Sequence, residues 1–414
     1  MGQDTTNLRV WSRQERRGFL EAELRAKTRQ WLQEMVQEEL DAALGLSRYE
    51  RGPGRRGYRN GVRSRTFTTR NGRHVIQMPR GAYFEPGPDG KKEWRSRLIP
   101  RYGRRSEAVE QALVNSYLCG TNTRRIKKAL RPLLTGAALS RSTVSRVVAR
   151  LEAAFEAWRR RDLSAEDVAL VFLDGFHLRI RWGGKVEPVP VLAAIGVCTD
   201  GRRLLLTLQV RTRESETAWS AVTEDLASRG VKAPVFAAID GNRGLHRAVK
   251  TTWPWIEVQR CTKHKLENLA THAPKRSYEA IKADYHAIVY AADPASARAA
   301  WKRFEHRWAK TSPAVVTSLR EGGEELLTFL GWPKAMWKML RTTNCIERLN
   351  EEFRRRVKTQ GSLPNASAGL KLLYGIVAEG VITLRRIDGW SLLAAEVQKR
   401  RRQHRLKQPL ADVA

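Results

Sequence analysis

The sequence predicts an α/β protein: a mixed sheet with helices on its faces, a helical stretch before its last part, and a basic, mostly helical region ahead of it. Three observations predict this. Apolar runs at Val168–Trp182, Val191–Arg211 and Val231–Gly241 contain or end in Asp-Gly pairs and alternate with helical patterns, as expected for strands interleaved with helices. The stretch from about Lys275 to Lys338 carries Trp301, Trp308, Trp332 and Trp337 and breaks at Pro294, Pro313 and Gly322-Gly323, so it reads as a separate all-α unit. Before about residue 165 the texture is arginine-rich and helical instead.

Composition narrows the function. Against 76 Lys+Arg stand 43 Asp+Glu, a formal charge of +33, with a pI near 10.8. A hydrophobic content of 42% and 13 Trp exclude a disordered basic tail, so the charge belongs to a folded surface that suits a polyanion such as double-stranded DNA. No apolar run approaches the roughly 20 residues that span a bilayer, and the start, MGQDTTNLRVW, has no signal-peptide core. A cytoplasmic protein is expected. Cys119, Cys198, Cys261 and Cys345 are scattered without any CxxC pair, which excludes a four-cysteine zinc site and fits a reducing compartment.

Ser12–Leu46 reads as one or two amphipathic helices, with Phe19, Leu24, Trp31, Met35 and Leu40 among the apolar residues; such a segment packs on its own chain or on a second copy. Arg51–Arg80 holds nine arginines, five glycines and no acid. It reads as a Gly/Arg-rich loop followed by a short hairpin turning at Asn71-Gly72. Arg55, Arg56, Arg59, Arg63 and Arg65 are its candidate phosphate contacts. Ser106–Leu118 and Thr121–Leu134 are helical candidates, and after Gly136 a helix capped by Ser140 carries Arg141, Ser142, Ser145 and Arg146 opposite an apolar stripe. That is the outline of a DNA-binding helix-turn-helix, although αα-hairpins without DNA contacts share it. The C-terminal run Lys399–Lys407, KRRRQHRLK, reads as a flexible backbone-binding tail.

Three acidic residues carry the chemistry. Asp174 interrupts the apolar run VFLDGFH and Asp240 ends FAAIDG, at the strand edge where open sheets place ligands. An isolated Asp-Gly is most often a turn, but a carboxylate inside an apolar strand requires a partner. In TTNCIERLNEEFRRR, Asn344 is a candidate N-cap that makes Glu347 the N3 residue of a capping box, with Asn350, Glu351 and Arg354 on the same helical face. A capped surface helix accounts for that pattern too. Gathered by the fold, Asp174, Asp240 and Glu347 suit two Mg²⁺ ions, with Mn²⁺ as substitute, and two-ion phosphoryl chemistry.

In order along the chain, GYRNGVRSR, LSRSTVSRV, the LDG strand at Asp174, IDGNRGLHRAV, QRCTKHKLENL and RTTNCIERLNEEFRRR resemble the motifs of Mutator-like bacterial insertion-sequence transposases, from about residue 50 to 395. The resemblance implies an RNase H-like core with an all-α insertion and Mg²⁺-dependent cutting and joining of terminal inverted repeats; since two DNA ends must meet, a homodimer is expected. It implies a catalytic triad at Asp174, Asp240 and Glu347, with a basic residue at Arg354. The family's CxxH falls on Cys261 and His264, half a zinc site at most, for which a structural or DNA-contacting role is expected. The expected divisions are 1–48 (helical), 49–100 (basic, with hairpin), 101–165 (helix-turn-helix-like), 166–274 (first part of the core), 275–338 (all-α insertion), 339–396 (last core helices) and 397–414 (basic tail). The rival readings are an RNase H-like nuclease that hydrolyses without joining and a non-catalytic, sequence-specific DNA-binding regulator.

Overall fold

A computed structural model describes residues 12–50, 52–85, 90–118, 141–182, 185–358 and 365–407; for 141–148, 150, 182, 357–358 and 406–407 it describes the backbone alone. The chain divides into two compact units, Met1–Ala149 and Arg150–Ala414.

In the first unit one long helix, α1 (Arg13–Leu44), starts at a capping box in which Ser12 and Glu15 exchange hydrogen bonds of 3.3 and 2.7 Å. Its buried residues Leu32, Val36, Leu40 and Leu44 fall at i, i+4 spacing and meet Phe67, Ile76, Met78 and Trp94. Leu24 and Trp31 remain outside that contact, 48% and 60% exposed. Strands β1 (Gly57–Thr69) and β2 (Gly72–Phe84) pair antiparallel, and β3 (Lys91–Glu93) adds to β2. The expected Gly/Arg-rich loop is therefore wrong over GYRNGVRSR, which forms most of β1. A bulge between the Arg59–Gly81 and Val62–Pro79 pairs lets a glycine-bearing segment join the ladder. α2 (Glu107–Leu118) follows. The first helix and turn of the expected helix-turn-helix lie outside the described residues; its second helix is α3 (Arg141–Arg159), where nothing is described of the side chains of Arg141, Ser142, Ser145 and Arg146.

The second unit is built on a five-stranded sheet of β4 (Val168–Trp182), β5 (Lys185–Cys198), β6 (Arg203–Val210), β7 (Phe236–Ile239) and β8 (Glu257–Arg260), in the order β6-β5-β4-β7-β8. The first three strands are antiparallel neighbours, and β7 and β8 join parallel. Gly201, at φ +82°, turns β5 into β6 beside Asp200. Asp174-Gly175 makes no turn: β4 runs straight through it, pairing Asp174 with Ala193 and Gly175 with Leu192. A Cβ there would meet the Glu214 carboxylate, which would have to shift. β7 is shorter than the apolar run before Asp240, since Pro234 offers the ladder no N–H.

Side-chain alternation divides the sheet's two faces. Val171, Leu173, Ala237 and Ile239 pack with Trp219, Leu226, Leu245 and Val249 of α4 (Glu216–Ser228) and α5 (Arg243–Thr252). On the opposite face, α6 (Thr262–His272) leads into a wholly helical stretch: α7 (Tyr278–Val289), α8 (Pro294–Trp308), α9 (Pro313–Gly322) and the single turn α10 (Trp337–Leu340). α11 (Asn344–Lys358) and α12 (Ala366–Ala378) then pack against the β4–β6 side, with Phe353 6.3 Å from Phe176.

The basic C-terminal run is no flexible tail up to Lys407, because it is the end of α13 (Trp390–Lys407). Arg400, its side chain 7% exposed, pairs with Glu396 and with Glu257 (3.0 Å), donates to Gly331 O (2.8 Å) and stacks on Trp332 at 3.8 Å. A guanidinium so enclosed holds the helix down. Arg400→Ala leaves Glu257 without its cation and Glu396 with Lys399 alone, and is expected to lower unfolding stability by about 2–3 kcal/mol, measured by urea denaturation; a change below about 0.5 kcal/mol would contradict the anchor. Among the described residues no helix is long and apolar enough to cross a membrane.

Candidate active site

Phe172 of β4 pairs in parallel register with Ala238 of β7. Two residues beyond Phe172 on β4 stands Asp174, alternating with Leu173 and so on the face opposite α4 and α5, and two beyond Ala238, one past the end of β7, stands Asp240. The two lie close enough for the Asp240 charge to act on Asp174. The third element arrives through Thr343. It occupies the capping position before α11, where its carbonyl accepts from the Ile346 and Glu347 N–H groups (2.9 and 3.2 Å), while its hydroxyl donates to Asp174 Oδ2 at 3.3 Å. The expected Asn344 cap is thus displaced by one residue to Thr343, and Glu347 forms no capping box. Glu347, one position beyond N3, points its carboxylate at α6 and not back at its own helix end. Its Oε2 pairs with Lys263, and its Oε1 lies 3.9 Å from His264 Nε2.

The electrostatics describe one anionic centre. Asp174, 6% exposed, is pushed up to about 7, first by burial and then by the charges of Asp240, Glu347 and Glu214, against the pull of His264. Burial raises Asp240 as well, although its Oδ1 accepts the Asn242 N–H at 2.9 Å. That bond is the turn role open to an Asp-Gly aspartate, and it occupies one oxygen only. Glu214 is raised by burial and by Asp240. His264 is pushed up to about 10, chiefly by its hydrogen bond to Cys261 and then by the charges of Cys261, Asp174 and Glu347, with burial opposing. Glu347 Oε1, Asn350 Oδ1 and His264 Nδ1 are buried with no hydrogen-bond partner. Converging carboxylates with an unpartnered oxygen are a donor set that hard divalent cations satisfy.

The remaining candidates distribute as follows. Arg354 is exposed on α11, seven residues and roughly 10 Å along the helix from Glu347. Arg59 is turned inward onto Asp41 (2.6 Å) and Leu46 O. Arg65 donates to Ile99 O and Pro100 O (3.3 and 2.6 Å), and Arg55 to Gly57 O (2.8 Å). Arg56 and Arg63 are exposed. Arg63 and Arg65 line a cleft of about 890 Å³ in the first unit together with Arg73, Arg80, Arg95, Arg101, Arg104 and Arg105. Cys261 and His264 gain a third partner that their spacing did not reveal: ligand atoms of Cys261, His264 and Glu347 lie within 4.8 Å of one another. Reading the sequence also missed Glu214, Lys263 and Thr343. Glu214 stands in a charged loop, TRESE, with no periodicity to mark it.

The chain matches the family described as "Transposase, Mutator family" over residues 4–381. It is 32% identical over 356 residues to the transposase for insertion sequence element ISRM5 of Rhizobium meliloti, covering 86% of this chain and 87% of that protein. The transposase for insertion sequence element IS1081 of Mycobacterium tuberculosis is 33% identical over 344 residues, covering 82% and 80%. The transposase for IS256 in transposon Tn4001 of Staphylococcus aureus is 29% identical over 336 residues, covering 80% and 83%. Among solved structures, a Drosophila P element transposase strand transfer complex is similar at 11% identity and a TM-score of 0.31, covering 76% of this chain and 90% of that one; at that score the likeness carries no weight. By its own motifs and by relatives aligned over most of its length, this chain belongs to the Mutator family of transposases.

Proposed function

We propose that this protein is a DDE transposase with an RNase H-like core. It binds the terminal inverted repeats of its element as double-stranded DNA, cuts one strand and joins the freed 3′-hydroxyl to a second phosphodiester. The carrying observation is the nearness of Asp174 on β4 to Asp240 just past the end of its parallel neighbour β7, with the Glu347 helix tied to Asp174 through Thr343. The mixed sheet, with an all-helical stretch between α6 and α11, supports the RNase H-like reading. Asp174, Asp240 and Glu347 would hold two Mg²⁺ ions, or Mn²⁺ in their place, which supply activation of the attacking oxygen and neutralisation of charge on the leaving one. Asp240 keeps its Oδ2 free of the Asn242 turn for this role. Thr343 fixes the Asp174 carboxylate, and Arg354 steadies the DNA backbone. Two element ends must meet, so a homodimer is proposed; Leu24 and Trp31 of α1 offer an apolar face for it.

Binding belongs to the arginines of the first unit and to α3. Exposed Arg63 and Arg80 in the cleft are the strongest phosphate contacts on this reading, whereas Arg59 acts mainly by holding α1. Removing both with Arg63→Ala and Arg80→Ala is expected to lower the slope of log K against log salt by about 2, alike for specific and random duplexes. A mobility-shift salt titration reads it, and an unchanged slope would remove this cleft from the interface.

The central test pairs a mobility-shift assay with a cleavage assay on oligonucleotides that end in a free 3′-hydroxyl. Wild-type protein should give strand-transfer products with Mg²⁺. Asp240→Asn should bind equally but cut more than about 10²-fold more slowly. Hydrolysis without joining would point to a nuclease, and an unaffected Asp240→Asn to a regulator whose aspartate only makes a turn.

A further inference from the structure

Cys261 is buried at the start of α6, held there by its N–H to Ile239 O (2.7 Å), and its side chain caps nothing. His264, one helical turn on, faces the same side. Glu347 approaches from α11 with its side chain 12% exposed. The three offer one sulfur, one imidazole nitrogen and one carboxylate oxygen within 4.8 Å of one another, with His264 Nε2 3.9 Å from Glu347 Oε1. Around a tetrahedral zinc ion such atoms lie about 3.3–3.7 Å apart, from bond lengths near 2.0–2.3 Å. Contraction by at most about 1.1–1.5 Å therefore closes the set. Two of its members carry buried atoms without partners, His264 Nδ1 and Glu347 Oε1. Thiolate and imidazole favour zinc-like cations over Mg²⁺, so this donor set differs in kind from the all-oxygen centre of Asp174 and Asp240, although Glu347 serves both.

We propose that Cys261, His264 and Glu347 form a three-ligand site for a borderline divalent cation of the zinc class, and that its occupancy draws Glu347 away from Asp174 and Asp240. Binding releases two protons, one from the Cys261 thiol and one from the His264 imidazolium, and leaves one coordination position for solvent. The site stands on its own geometry; only its consequence, inhibition of Mg²⁺-supported cutting by zinc-class ions, rests on the transposase reading.

Co²⁺ is the probe. Titrated into the full chain, it should give a sulfur-to-cobalt charge-transfer absorption saturating at one equivalent, displaced by Zn²⁺ and not by Mg²⁺. Cys261→Ser should lose the band and Asp240→Asn should keep it. Should Cys261→Ser fail to fold, His264→Gln serves in its place, keeping a sulfur band but binding Co²⁺ about tenfold or more weakly. Glu347→Gln should weaken Co²⁺ by a similar factor, which reads the shared ligand without any catalysis. No band in wild type, or a band that survives in Cys261→Ser, overturns the site. Unchanged Co²⁺ affinity in Glu347→Gln overturns the sharing. One equivalent of Zn²⁺ should slow wild-type cleavage about tenfold relative to its own zinc-free rate; a zinc-insensitive rate beside an intact band also overturns the sharing. Absence of Mg²⁺-supported cleavage would instead count against the transposase chemistry, leaving the cobalt results to decide the site.

Discussion

Replacing Asp174 by asparagine is expected to make the metal-free protein more stable while abolishing the Mg²⁺-dependent cutting proposed for it. The reason is the position of the side chain, 6% exposed in the central strand and surrounded by other carboxylates. In the folded chain Asp174 is raised from 3.8 to about 7. Below pH 4 both folded and unfolded chains hold the proton, so the group contributes nothing to the difference. As pH rises from about 4 to about 7 the unfolded chain ionises first and the folded one resists. This group therefore erodes stability through that window and reaches its full penalty above it. At 1.36 kcal/mol per unit the penalty is roughly 4 kcal/mol at most. Asparagine fills the same volume, can still accept from Thr343 and carries no charge. In EDTA at pH 8, Asp174→Asn should raise the unfolding midpoint by on the order of 5 °C and flatten its fall between pH 4 and 7. Mg²⁺ should then stabilise wild type and leave the variant almost unmoved. A variant no more stable than wild type in EDTA would mean that no repulsive centre exists there. Stability given up at a site for charge needed in function is a common trade.

Much of this centre was legible in the sequence because it lies where periodicity breaks. A carboxylate in VFLDGFH, and another ending FAAIDG, conflict with the apolar runs around them, and such conflicts mark function more often than accident. The hairpin at Asp200-Gly201 and the all-helical stretch follow from turn chemistry and apolar spacing alone. Other features depend on contacts that local pattern does not encode. GYRNGVRSR looks like a loop until Ala82 and Met78 of β2 are set opposite it. KRRRQHRLK looks solvated until Trp332 and Glu257 enclose Arg400. Thr343 and Asn344 are both able caps; the choice between them is made by Asp174, far away along the chain. Glu214 comes from a remote segment with no signature of its own, and the spacing of Cys261 and His264 does not reveal that Glu347 lies beside them.

Glu347→Gln is expected to reduce divalent-dependent cleavage by on the order of 10³, a loss of several kcal/mol of charge stabilisation, without unfolding the protein or releasing DNA. Glutamine keeps the length of the side chain and its place on α11, where Ile346, Leu349 and Phe353 are buried and hold the helix to the core. Its loss of charge leaves Lys263, whose side chain is 51% exposed and can be hydrated where it stands, while His264 keeps the charge of Asp174 beside it. The unfolding midpoint should therefore shift by no more than a few degrees. Glu347→Asp separates charge from reach: it keeps the carboxylate but withdraws it by one methylene, about 1.5 Å, on a helix that cannot follow. Mg²⁺ accepts ligands only near 2.0–2.1 Å, so the aspartate variant should also lose about 10²-fold or more and bind Mn²⁺ more weakly. Lys263, by contrast, tolerates such a shift, because a flexible ammonium pairs across a range of distances. An aspartate variant as active as wild type would mean that Glu347 acts through its charge on Lys263 and His264 alone. Full activity in the glutamine variant would leave Asp174 and Asp240 as the whole centre.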